Sequence, residues 1–143
     1  MVIVRNWFGD QDDGVPRERE LLELAPDVFA GVWLDRDGNP CVAYTERPGA
    51  HAREVEKRFG LKGRLRALQH QRSIAELERI ADDLEASRER WESMGTRIYA
   101  VGISHEHNIV EVLLEPLPAS VRDAINDAYG DAVRLEEDRV EPA

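Results

Sequence analysis

His105-Glu106-His107 is the first place in this chain where residue types invite chemistry, because imidazole both binds metals and titrates near neutral pH. In an extended strand the two histidines would share a face. The surrounding pattern instead predicts a hairpin turn over Ser104–Asn108, which would leave them exposed to solvent. One short cluster supplies at most part of a coordination shell, and the spacing is not the helical His-Glu-x-x-His zinc pattern. The expectation is an exposed turn, with no cofactor and no metal. A small metal-binding protein or hydrolase centred on His105 and His107 is the alternative reading.

Candidate nucleophiles are Cys41, Ser73, Ser104 and Ser120. Cys41 falls in a predicted strand, where free cysteine is a small core residue. Ser73 and Ser120 stand at or near helix starts, where capping explains them. No Gly-x-Ser-x-Gly elbow, Walker A loop or Gly-x-Gly-x-x-Gly occurs, so a catalytic role is not expected. Between Arg53 and Arg72 lies a basic run, Arg53, Lys57, Arg58, Lys62, Arg64, Arg66 and Arg72, against only Glu54 and Glu56. Such a run would suit phosphate or an acidic partner. It also balances the acid-rich helix that follows, and a solvated face is the expected reading.

The chain of 143 residues carries a net charge of −10, which argues against non-specific binding of nucleic acid. No segment reaches the ~20 apolar residues of a membrane span, and the first residues lack a basic region followed by an apolar stretch, so neither membrane insertion nor secretion is expected. The lone Cys41 excludes an internal disulfide and fits a reducing, cytoplasmic setting. The dominance of arginine over lysine points to a GC-rich bacterial genome.

The elements that must position these residues are legible in part. Ala30–Leu34 and Pro40–Thr45 flank Asp37-Gly38 and predict a β-hairpin. Pro48 opens a helix whose buried stripe is Ala52, Val55 and Phe59, and Gly60 ends it. Leu65–Leu68 reads as a short third strand. A long helix from Ser73 to about Met94 begins with the Ser73/Glu76 capping box, carries Ile74, Leu77, Ile80, Leu84 and Trp91 on one face, and has a polar gap near Ser87 and Arg88. The order then restarts: strands at Ile98–Ile103 and Ile109–Leu114, a helix from Pro118 to Gly130, and a last strand over Asp131–Glu136. Pro48, Val55, Phe59 and Gly60 recur as Pro118, Ile125, Tyr129 and Gly130, each seventy positions on, while Phe29, Val32 and Leu34 recur sixty-nine positions on as Ile98, Val101 and Ile103. The second hairpin loop has gained one residue, and the link to its third strand has lost about two.

The predicted fold class is therefore α+β: two tandem ββαβ units, each a three-stranded antiparallel sheet plus a helix, joined by a long amphipathic helix. The boundaries are an N-terminal arm (1–27), a first unit (28–69), the linking helix (70–96), a second unit (97–137) and an acidic tail (138–143). In the arm, Val2–Phe8 reads as a strand, Gly9–Gly14 as an acidic loop and Val15–Leu24 as a short helix. Trp91 and Trp7 read as core or anchoring residues. Trp33 lies on the strand face away from Val32 and Leu34, so it must meet the helix, the arm or a partner.

Val28-Phe29-Ala30-Gly31-Val32-Trp33-Leu34-Asp35, with Val42-Ala43-Tyr44-Thr45, resembles the propeptide domain of alpha-lytic-type bacterial serine proteases. So does the run from Tyr99-Ala100-Val101-Gly102-Ile103 through Ile109–Val112 to Tyr129-Gly130-Asp131-Ala132-Val133-Arg134; together the likeness spans about residues 28–137. In that family the prosegment assists folding of the protease and then inhibits it, by sheet extension and by placing its C-terminal tail in the active-site cleft. The resemblance implies a protein partner, with a peptidase as the candidate, contacted by Val133, Arg134, Leu135 and Glu136 and by the tail, including Val140. Self-association is a further expectation, because a small open sheet has unpaired edges.

Overall fold

The computed structural model describes residues 2–4, by backbone alone, and residues 17–61, 63 and 65–137. In chain order the elements are β1 (Val2–Val4), α1 (Glu18–Leu24), β2 (Phe29–Leu34), β3 (Pro40–Tyr44), α2 (Pro48–Phe59), β4 (Arg66–Gln69), α3 (Ile74–Ala86), α4 (Arg88–Ser93), β5 (Arg97–Ser104), β6 (Ile109–Glu115), α5 (Ala119–Tyr129) and β7 (Val133–Glu137). They form two compact units. The N-terminal unit comprises residues 8–76 with 105–108, and the C-terminal unit comprises 1–7, 77–104 and 109–143.

In the N-terminal unit the hairpin forms because Gly38, at φ +82°, supplies the left-handed turn residue, and the Asp35 carboxylate accepts the Asp37 and Asn39 N–H groups across the loop. The sheet runs β2-β3-β4. Ala30, Trp33, Cys41 and Ala43 make one buried cluster. Elsewhere on the sheet Phe29 meets Tyr44 edge to face at 5.9 Å, and the Tyr44 ring stacks on His51 of α2. Helix α2 starts at Pro48, where a missing N–H is no loss, and stops at Gly60 in the left-handed conformation. Helix α1 packs on β2, with Leu21 fully buried.

The C-terminal unit repeats this plan in the sheet β1-β5-β6-β7. Val121 and Ile125 of α5 are fully buried, Trp91 of α4 is buried, and the Tyr129 hydroxyl donates to the Asp83 carboxylate. Strand register carries the duplication down to single residues. Val32 pairs with Val42, and Val101 with Val112; Val42 pairs in turn with Ala67, and Val112 with Leu135. Both hairpins also break register at the same place, between Phe29 and Gly31 and between Ile98 and Ala100.

The fold is α+β with the tandem ββαβ layout, and three details differ from the sequence expectation. The sheets are mixed rather than antiparallel, because β4 runs parallel to β3 and β7 parallel to β6. A helical crossover returns the chain to the end from which it left, so the strand after α2 or α5 has the direction of the strand before it. Second, the C-terminal sheet has a fourth strand, β1, parallel to β5, so part of the expected arm belongs to the sheet. Third, the linking helix is two helices, α3 and α4, parted at Ser87 where its apolar stripe lapses. The loop expected at 9–14 lies outside the described residues.

Candidate functional site

The turn expected to be exposed at 105–108 is half buried. His105 is 3% exposed and Asn108 is 4% exposed, while Glu106 and His107 face solvent. The two histidines therefore do not share one environment: His105 is packed inside the N-terminal unit and His107 is exposed on its surface. The cause lies in β2, an edge strand whose backbone needs partners on its open side. The Val32 N–H donates to His105 Nδ1 at 3.0 Å. That bond requires a lone pair on Nδ1, so the neutral ring carries its proton on Nε2, which lies 3.6 Å from the Glu18 carboxylate of α1.

Gly31 makes this approach feasible. Its φ is +151°, and a Cβ added there would stand 3.1 Å from the His105 carbonyl oxygen and 3.2 Å from the His105 Cβ. Asn108 completes the clamp from a left-handed backbone at φ 58°. Its side-chain oxygen accepts the Arg72 N–H at 2.9 Å, and its amide donates to the Arg72 carbonyl at 2.8 Å and to the Ala30 carbonyl at 3.5 Å. Arg72 donates back through its guanidinium to the Asn108 carbonyl at 3.1 Å.

Trp33, expected to meet the helix, the arm or a partner, is 7% exposed and packs within the N-terminal unit. Its ring stacks on His70, 5.3 Å between centroids and 18° between planes. His70 in turn donates from Nε2 to the His105 carbonyl at 3.0 Å. Burial holds His70 below the usual imidazole range, against a smaller upward pull from that carbonyl. Gly31, His70, Asn108 and Glu18 carry no local sequence signal for this role beyond the general tolerance of Asn for a left-handed backbone.

No family model matches the chain, and no curated protein is similar to it. The site must therefore be read from its own chemistry. Among the described residues no group of three or more His, Cys, Asp and Glu side chains is arranged to hold a metal ion. Cys41 is buried, burial and then the Asp35 charge push its thiol pKa up, and its Sγ lies 3.6 Å from the Asn39 carbonyl. A thiol held protonated is a poor nucleophile. Ser73 accepts the Glu76 N–H at 3.1 Å, as a cap should. The basic run is dispersed: Arg53, Lys57 and Arg58 are solvated on α2, Arg66 pairs with Asp35 at 2.8 Å, and Arg72 is held by Asn108. Lys62 and Arg64 lie outside the described residues.

The remaining features are sheet edges. In the N-terminal unit the β2 edge is occupied by the His105 turn, and β4 forms the other edge with all four residues exposed. In the C-terminal unit β1 and β7 are the outer strands. Of the partner residues expected on β7, Val133 is buried and anchors the strand, Leu135 is half-buried, and Arg134 and Glu136 are exposed. Glu137 accepts the Leu117 N–H at 2.8 Å, which ties the strand end to the start of the α5 segment. Val140 lies outside the described residues. No helix of the described residues is long and apolar enough to cross a membrane.

Proposed function

We propose that this chain is a non-catalytic protein-interaction module that accepts an extended strand of a partner on the β7 edge. What supports the reading is that β7 ends its sheet among the described residues, with Val133 fixed in the core and the exposed Arg134 and Glu136 alternating with it. A partner strand laid along such an edge gains main-chain hydrogen bonds, and alternate side chains select the sequence. Strand β4 is the weaker candidate, since Arg66 and Gln69 already bridge to Asp35 and to the Thr45 carbonyl. The resemblance to protease propeptides adds a peptidase of the alpha-lytic type as the partner to try first, with the tail including Val140 as a second contact.

The test is amide hydrogen exchange of the chain with and without such a peptidase, beside an inhibition assay. Slowed exchange confined to 133–137, with inhibition that weakens on removal of 138–143, is the expected result. Inhibition without any protection of β7, or no binding at all to peptidases of this class, would remove the edge or the partner respectively.

A further inference from the structure

We infer that a second copy of this chain is an occupant of the β7 edge, paired antiparallel with β7 across a two-fold axis at Leu135. The inference rests on the preceding reading that this edge accepts a strand, and it names a partner for it. Charge order carries it. In an antiparallel pair, directly opposed residues share one face, and a two-fold axis at position 135 sets 134 opposite 136 of the other chain, twice. Those positions are Arg134 and Glu136, both exposed and on one face of β7. Each copy thus presents a cation to the other's anion, with Leu135 meeting its own counterpart between the two pairs.

The two outermost pairs set Val133 opposite Glu137, and they add no like-charge repulsion because Val133 is uncharged; the Glu137 carboxylate accepts the Leu117 N–H of its own chain. A two-fold axis normal to the sheet also keeps α5 of both copies on the same side, so the two four-stranded sheets become one of eight strands. A single five-residue strand pair is small beside a stable interface, and each chain carries −10, so the dimer is weak and concentration-dependent.

Sedimentation or light scattering over a wide concentration range, on the whole chain and on R134E, E136R and the double reversal R134E/E136R, tests this. Each single reversal replaces two attractive pairs by two repulsive ones, so the dimer Kd should rise roughly tenfold. The double reversal restores the order with signs exchanged and should recover the original Kd. A dimer indifferent to all three variants places self-association elsewhere and overturns the inference. A chain that stays monomeric while its β7 amides exchange rapidly overturns the second copy but leaves the open edge standing. Monomer with slowly exchanging β7 amides overturns both.

Discussion

The two hairpin turns occupy equivalent places in a duplicated plan and are used in opposite ways. The first, at 35–39, satisfies itself: the half-buried Asp35 collects the loop's N–H groups and the exposed Arg66 guanidinium at the surface. The second, at 105–108, turns its polar groups outward to cap β2 and the 70–72 loop, and buries two of its four residues in doing so. The one extra residue of the second hairpin lengthens its ladder to the pair Ser104–Ile109 and leaves a four-residue turn. The same structural slot is thus an inert loop in one copy and a structural plug in the other. Because the plug closes the β2 edge, the open edge of the N-terminal sheet is β4, the strand after the helix, and its counterpart β7 is one of the two outer strands of the C-terminal sheet.

Substitution at matched glycines should break this contrast most sharply. Gly31→Ala drives a Cβ into the His105 backbone from a φ that side chains avoid, and we expect a loss of about 2–3 kcal/mol in urea unfolding. Gly38→Ala, also at positive φ but with open space around it, should lose only about 1 kcal/mol. Equal losses would mean that His105 does not sit against β2. Next in size is Asn108→Ala, which removes the partner of the half-buried Arg72 backbone groups and of the buried Ala30 carbonyl and should lose about 2 kcal/mol. Asp35→Ala in the solvated turn should lose less, and a reversal of that order would contradict the assignment of the second turn as the plug.

The smallest effect expected is on pH dependence. Burial lowers the His70 pKa in the folded chain below the 6.5 of the unfolded one, so below that pH the unfolded state binds more protons. The contribution is whole above about pH 6.5 and is lost as pH falls through the folded pKa, at no more than about 1.4 kcal/mol per pH unit. His70→Gln keeps a donor for the His105 carbonyl and should flatten this part of the profile. An unchanged slope would place His70 in solvent.

Much of the fold was legible because it rests on local signals. Pro48 and Gly60 bound α2, Asp37-Gly38 turns the first hairpin, and the offsets of sixty-nine and seventy reappear as strand register. The parallel sense of β4 and β7 was missed because apolar alternation marks a strand without its direction; the helix between two strands was the available clue. The break at Ser87 shows in the sequence as a polar gap, and a gap of that length does not distinguish a helix boundary from a lapse within one helix. The clamp was illegible for a different reason. His105 is buried by Gly31 and Val32, more than seventy positions away, and Trp33 is covered by His70, so neither partner shows in a local window. Arg134 and Glu136 were singled out by resemblance, yet their complementarity needed the strand's edge position and register.

Residue-resolved amide exchange on dilute protein compares the closed and open edges directly. The account predicts that the Val32 amide, held by His105, exchanges only through large-scale unfolding, while β7 amides not bonded to β6 exchange orders of magnitude faster. Outward β7 amides as slow as Val32, or a Val32 amide as fast as those of β7, would contradict it.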